Sequence, residues 1–416
     1  MTEQFLADPE VRQRLHRGPL GLYVERFAQA LFDQGYAGTT AKRKLVLISD
    51  LCHWLQTRRQ ALADLSESRI ERFLRSRNGK KRLHRGDPPT LRQFLSFLRE
   101  AGVIPTVDPE IEDSPIRRIE NSFARHLSQE RGLSQETLDA YLPVARRVLA
   151  EWFSDGKVVL SQLSPQHISG FILRYAHQLS PSSAQLMVTG LRSFLRFLHQ
   201  KGEIETNLAA AVPTVARWRF TELPKFLKPE EAERLLQSCD QNTVMGKRDY
   251  AVLLLLARLG LRAGEIVHMN LDDIHWEAGE LLVRGKSSRE ECLPLPHDVG
   301  EALAAYLRHG RPRCSSRRVF IRMHAPQQGF SGSAAVCEIV RRALSRAEIN
   351  SRFKGAAHLL RHTLATTMLR AGASFPEIGE ILRHQHPSTT EIYAKVDLSA
   401  LRSIAQPWPG GVACMK

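Results

Sequence analysis

The feature that most limits what this chain can fold into is an internal repeat in its first half. Leu91-Arg92-Gln93-Phe94-Leu95-Ser96-Phe97-Leu98 matches Leu191-Arg192-Ser193-Phe194-Leu195-Arg196-Phe197-Leu198, offset by 100 residues. Gly102 and Ile104 match Gly202 and Ile204 at the same offset. Trp54, Leu65, Ile70 and Phe73 match Trp152, Leu163, Ile168 and Phe171 at an offset of 98, and Phe27 and Leu31 match Phe123 and Leu127 at 96. A drifting offset is what small loop insertions leave behind. A repeat of this kind means one structural unit built twice. Tyr23, Phe27, Ala30 and Leu31 in one copy, and Phe123, Leu127, Leu142 and Leu149 in the other, recur at helical spacing. The Phe-x-x-Phe-Leu stripe reads as a core-facing helix side. The expectation is two similar helical bundles, a statement about fold that by itself names no ligand.

The second half changes character at Pro229. Pro229-Glu230-Glu231 opens a helix, because proline fits the first turn and acids suit its positive end. Tyr250 to Leu261 reads as a buried helix. Glu280 to Pro296 reads as a hairpin turning at Gly285 to Ser288. Helices are expected again around 298–307, 334–347, 356–371 and 375–382. The fold class is therefore mainly α with a small β element. Two linkers stand out, an acidic one from Pro105 to Pro115 and a basic one from Val212 to Pro229. A basic linker can track a phosphate backbone or simply be solvated.

With 59 Lys and Arg against 44 Asp and Glu, the chain carries a formal charge of +15, which points to a polyanionic partner, nucleic acid or an anionic membrane surface. The membrane reading loses ground. Met1 to Glu10 carries Glu3, Asp8 and Glu10 instead of a basic start and an apolar core. The longest apolar stretch, Tyr250 to Ala257 and on to Leu261 past Arg258, falls far short of the ~20 residues that span a bilayer. Six scattered cysteines without a C-x-x-C pair fit reduced thiols in a cytosol better than disulfides or a zinc site.

Four short segments of the second half carry reactive side chains. In Gly260-Leu261-Arg262-Ala263-Gly264-Glu265, the carboxylate of Glu265 can hold and aim Arg262; alone, the pair reads equally as a surface salt bridge. Lys286 lies in the hairpin turn, where it can reach a phosphate or donate a proton, although a turn lysine is usually a solubility residue. In His358-Leu359-Leu360-Arg361-His362, His358 and Arg361 share a helix face, an acid–base group beside a guanidinium. The run His384-Gln385-His386-Pro387-Ser388-Thr389-Thr390-Glu391-Ile392-Tyr393 places Ser388 and Glu391 as an S-x-x-E box opening a short helix that carries Tyr393.

In this order and spacing the segments resemble the catalytic domain of the tyrosine recombinase, or phage integrase, family, from about Leu227 to Leu401. The carriers are G-L-R-x-x-E at Gly260 to Glu265, the Gly285-Lys286 turn before Leu-Pro-Leu-Pro, H-x-L-R-H-T at His358 to Thr363, and the run from His384 to Tyr393. The repeated half resembles the SAM-like helical domains that precede such catalytic domains. The resemblance implies residues 1–110 and 111–213 as two tandem SAM-like DNA-binding bundles, 221–405 as a mixed α/β catalytic domain and 406–416 as a tail. It implies Tyr393 as the nucleophile that attacks a scissile phosphate and leaves a 3′-phosphotyrosyl bond. Arg262 and Arg361 would clamp the non-bridging oxygens, Lys286 would protonate the leaving 5′-oxygen, and His358 would move the nucleophile's proton. His384 would hydrogen-bond the phosphate, with Glu265 in a supporting role. No metal, cofactor or ATP is needed, because the tyrosyl bond keeps the phosphoester energy.

The implied partners are double-stranded DNA, further copies of the chain as a dimer and a tetramer on DNA, and accessory recombinases. The implied location is the cytoplasm, on the nucleoid, and the implied setting is integration or transposition of a mobile element. The tail after Gln406, with Trp408, is a candidate for docking on a neighbouring copy.

Three features depart from the family pattern. Arg383 stands where the family usually has glycine, the hairpin Ser287-Ser288-Arg289 is poorer in glycine, and two helical modules stand in place of one. Rival readings fare less well. An acidic-triad metal nuclease needs three separated carboxylates, whereas Asp272-Asp273 and Glu290-Glu291 are adjacent pairs. A metal site from His358, His362, His384 and His386 has Arg361 and Arg383 beside it to repel the cation. A type IB topoisomerase shares the chemistry but not the spacing near Tyr393. A DNA-binding protein without activity would not need this order of Arg, His and Tyr.

Overall fold

The computed structural model describes residues 20–78, 84–106, 114–153, 159–215, 223–285, 290–349, 356–396 and 401–402. These divide into two compact units, one of residues 51–215 and one that joins residues 20–50 to residues 223–402. Among the described residues, no helix is long and apolar enough to cross a membrane.

Among the described residues of the first half, the α-helices are α1 (Gly21–Asp33), α2 (Gly38–Thr57), α3 (Glu67–Asn78), α4 (Asp87–Glu100), α5 (Pro115–Arg125), α6 (Gln135–Trp152), α7 (Pro165–Ala176) and α8 (Pro181–Gln200). Within the unit of residues 51–215 the repeat holds down to ring geometry. Trp54 meets Phe73 edge-on at 5.7 Å, and their counterparts Trp152 and Phe171 meet edge-on at 6.2 Å. Phe94 and Phe97 stack at 6.2 Å, and Phe194 and Phe197 stack at 6.3 Å. Leu91, Phe94, Leu95 and Leu98 are buried, as are Leu191, Phe194, Leu195 and Leu198.

Gly102 and Gly202 have φ of +70° and +74° just beyond α4 and α8. There glycine takes the left-handed turn that returns a backbone N–H to the last helical carbonyls. Val103 N–H donates to the Leu98 carbonyl at 3.0 Å, and Glu203 N–H to that of Leu198 at 2.9 Å. The matched Gly-x-Ile therefore marks two equivalent helix ends, with Ile104 and Ile204 buried behind them.

The second half contains α9 (Pro229–Gln237), α10 (Val244–Arg258), α11 (Ala263–His268), a three-stranded antiparallel sheet, α12 (His297–His309), α13 (Ser333–Arg346), α14 (Ala356–Arg370) and α15 (Phe375–Ile381). Glu231 accepts from the Lys228 N–H at 2.8 Å and caps α9 as the acidic first turn suggests. Helix α10 begins at Val244, ahead of the expected Tyr250, because the Thr243 hydroxyl accepts from the Gly246 N–H at 3.0 Å and caps it there. Ala251 to Leu256 are all buried, and the helix forms the axis of a core that runs from Leu227 to Leu360.

The hairpin is present as β2 (Glu280–Arg284) and β3 (Glu290–Pro294), with Leu282 opposite Cys292; its turn lies outside the described residues. A two-residue strand β1 (Ile274–His275), not foreseen from the sequence, pairs with β2 through Ile274 and Leu281. A separate small cluster packs Tyr393 with Ala365, Ile378 and Leu382.

Phe194 is fully buried and meets Phe123 at 5.1 Å. Phe194→Ala should cost about 3–5 kcal/mol, the usual loss for a buried ring. Gly202→Ala should cost about 1 kcal/mol, the left-handed penalty. Urea unfolding of both variants checks the order, and a reversed order would mean that the helix end, not the ring, holds this bundle.

Candidate active site

The site is laced together by two turns that face each other, 259–265 and 381–384. Gly260 has a φ of +58°, and a Cβ there would lie 2.6 Å from the Leu382 side chain, so only glycine fits. The left-handed turn stops α10 and presents the Gly260 carbonyl to Arg361, which is buried on α14. The other Nη of Arg361 donates to the Leu382 carbonyl. Burial, then Arg262 and Arg383, pull the Arg361 pKa down to about 10, which leaves it cationic at neutral pH.

Arg262 spans the same two turns. Its Nη1 donates to Glu265 Oε1 at 2.8 Å and its Nη2 to the Arg383 carbonyl at 3.0 Å. Glu265 is buried, which rules out the surface-bridge reading. Its Oε2 accepts from the Arg262 backbone N–H at 2.8 Å and from Arg383 Nη2 at 3.0 Å. One carboxylate thus holds two guanidinium groups. Arg383, at the position where the resemblance leads one to expect glycine, does adopt a left-handed backbone, with φ +55°.

His384 follows, half-buried, with its N–H on the Gly379 carbonyl at 2.8 Å and Nδ1 2.8 Å from the Thr390 hydroxyl. Burial, then Arg361 and Arg262, push its pKa down to about 4. His358 presents an exposed edge one turn before His362; loss of solvent on its inner side, then Arg361 and Arg262, lower its pKa as well. Arg262, Glu265, Arg383, His384 and Thr390 line a cavity of about 1010 Å³. Gly285 lines it too, whereas Lys286, the next residue, lies outside the described residues.

Tyr393 sits on a 3-10 turn, Glu391–Val396, preceded by another, Pro387–Thr389, in place of the α-helix expected from the S-x-x-E box. It is 1 % exposed, and burial pushes its pKa up to about 12. Its Oη lies 2.8 Å from His362 Nδ1. Neither this partner nor the Thr390 contact of His384 was singled out from the sequence. The signal for His362 was the His-x-x-x-His spacing, which puts it on the His358 face of α14. Among the described residues, donor atoms grouped closely enough for a metal are those of His275, Glu280 and Cys292 on the sheet, all exposed, and not those of the four histidines weighed as a metal site.

Paired guanidinium groups beside histidines suit an anionic, phosphate-bearing ligand, and similarity to known proteins gives the family. The phage integrase family matches residues 225–399, and the phage integrase N-terminal SAM-like domain matches residues 121–202. An integrase/recombinase of Sinorhizobium fredii, y4rA, is 44% identical over 395 residues, 94% of this chain and 95% of that one. Tyrosine recombinase XerC of Thermodesulfovibrio yellowstonii is 31% identical over 283 residues, 67% of this chain and 92% of that one. Among solved structures, the XerH site-specific recombinase bound to palindromic difH substrate, a post-cleavage complex, has a TM-score of 0.54 at 18% identity, over 76% of this chain and 94% of that one. That likeness supports the fold. The chain belongs to the phage integrase family of tyrosine recombinases, enzymes that break and rejoin DNA without a metal.

The depressed histidines give a stability prediction. His362 and His384 fall from 6.5 to about 4 in the folded chain, so the unfolded chain binds more protons between those values. Their contribution is fully present above pH 6.5 and is lost as pH falls towards 4. Urea midpoints should therefore drop from pH 7 to pH 5, and drop less in a His362→Asn, His384→Gln double variant. An equal drop in the variant would place the titrating groups elsewhere.

Proposed function

We propose that Tyr393 attacks a scissile phosphate of double-stranded DNA, forming an Oη–P bond to the 3′ side and releasing a 5′-hydroxyl. A 5′-hydroxyl from a partner strand then attacks that phosphotyrosine and restores the diester, so no ATP enters. Arg262 and Arg361 stabilise the charge that grows on the non-bridging oxygens. His384 donates to the phosphate, His358 carries the proton of the nucleophile, Lys286 protonates the 5′-oxygen, and Glu265 holds Arg262. The observation that carries this reading is the lacing of Arg262 and Arg361 to the same two turns, with His384 directly after the second. Each guanidinium spends two of its five N–H groups on that lacing, which leaves donors for a phosphate.

The setting we propose is integration or transposition of a mobile element, supported by the 44% identity to the y4rA integrase/recombinase. Assembly as dimers on DNA is proposed from the lambda integrase (residues 75–356), whose dimer is bound to a COC′ core site and whose fold is matched at a TM-score of 0.50; a tetramer would follow from joining two such sites, as strand exchange between them requires. Residues 1–110 and 111–213 would serve as DNA-binding modules, and 406–416, outside the described residues, as a contact between copies. A cytoplasmic, nucleoid-associated location and accessory recombinases complete the proposal.

The test is a nicked suicide DNA from which cleavage cannot reverse, with candidate sites drawn from DNA flanking the gene. Wild type should form a covalent protein–DNA adduct in the presence of EDTA, and Tyr393→Phe should form none. Arg262→Gln should slow the adduct by roughly 10²–10³-fold, the usual cost of one lost transition-state donor. An adduct that persists in Tyr393→Phe would assign the nucleophile to another tyrosine.

A further inference from the structure

We propose that His362, outside the seven side chains given roles above, is a positioning residue that sets the orientation of the Tyr393 phenol. The inference rests on the reading of Tyr393 as nucleophile. The phenol oxygen lies 2.8 Å from His362 Nδ1, and the two rings meet edge-on at 5.6 Å. Tyr393 is 1 % exposed among Ala365, Ile378 and Leu382, groups that offer its hydroxyl no partner. A buried hydroxyl keeps the orientation of the bond that satisfies it, so the His362 ring decides where the oxygen points. His362 is itself fixed: it stands on α14 directly after Arg361, whose guanidinium is held by the Gly260 and Leu382 carbonyls. One turn earlier on the same face, the His358 ring lies 6.3 Å away. The lacing that orders the arginines therefore extends through α14 to the nucleophile.

The charge states agree with holding rather than proton transfer. Burial, then His358 and Arg361, push His362 down to about 4, so its ring is neutral at neutral pH. Burial pushes Tyr393 up to about 12, so the phenol keeps its hydrogen. With the ring proton on Nε2, the O–H donates and Nδ1 accepts. A base this weak beside an acid this weak makes a hydrogen bond and not a proton relay. Proton removal is left to His358, which carries it in the proposed reaction.

The experiment compares wild type, His362→Asn, His362→Phe and Tyr393→Phe. Asparagine places an oxygen acceptor near the Nδ1 position and does not titrate; phenylalanine keeps the ring and loses the acceptor. Adduct formation on the nicked DNA is followed in single turnover from pH 5.5 to 9, together with DNA affinity. Nitration of Tyr393 by tetranitromethane is mapped without DNA.

His362→Phe should slow adduct formation at least tenfold with DNA affinity unchanged, and should raise nitration of Tyr393 severalfold. His362→Asn should recover most of the rate with the wild-type pH profile. A His362→Phe protein with wild-type rate and nitration would overturn the proposal. So would a His362→Asn protein as slow as His362→Phe with a displaced pH limb, which would make His362 the proton acceptor instead. An adduct that survives in Tyr393→Phe would sink the nucleophile assignment separately, and the nitration comparison would still decide whether His362 orients that phenol.

Discussion

The carboxylate of Glu265 is the group on which the order of the site depends. It is buried, and an isolated buried carboxylate costs several kcal/mol in lost hydration. It survives because every side of it is met: the Arg262 backbone, the Arg262 guanidinium and the Arg383 guanidinium all donate to it. Those donors come from the turn after α10 and the turn after α15. Arg361 reaches the same two turns through the Gly260 and Leu382 carbonyls, and Arg383 returns a contact to the Leu259 carbonyl at 3.5 Å. Two stretches more than a hundred residues apart in sequence are thus tied reciprocally, and no single bond has to carry the geometry. A network of this kind is cooperative, because each partner removed leaves another buried charge or carbonyl unmet.

Arg383 shows how the lacing outweighs local preference. A left-handed backbone costs a residue with a Cβ about 1–2 kcal/mol, which is why glycine is the usual choice. Here the φ of +55° is retained by arginine. The offset lies in what the side chain does: it gives Glu265 its second guanidinium and donates to the Ile381 carbonyl at 3.1 Å. Glycine would relax the backbone and leave Glu265 with Arg262 alone. The departure from the family pattern is therefore compensated within the site.

What the sequence made legible follows from whether the information is local. The repeat was legible because each copy carries its own core stripe and its own helix-ending glycine, and Gly102 and Gly202 do the same work in the structure. The Arg262–Glu265 pair was legible because residues three apart at the start of one short helix must meet. The fold class and the family followed from such local signals taken in order. Three features were not legible. Strand β1 is two residues long and exists only because β2 lies beside it. The S-x-x-E run gave 3-10 turns, and Thr390 within it turns its hydroxyl inward to His384, a competing contact that the local box does not foretell. His362 looked like one more histidine of the motif, since its partner is 31 residues away and comes beside it only when the last turn packs against α14.

The resting charge state of the site is the last consequence of this arrangement. Three guanidinium groups converge where one carboxylate balances them, and the surplus positive field adds to burial in keeping His358 and His384 neutral. A phosphate brought against Arg262 and Arg361 offsets part of that surplus positive field. The same histidines then gain affinity for protons, and binding of the anion draws protons towards the place where a donor is needed. A site that held protonated histidines beforehand would be repelled by its own arginines. Keeping them neutral until the anion arrives lets the arginines stay packed together at tolerable cost, and it couples the acid–base state of the proposed centre to the presence of the substrate.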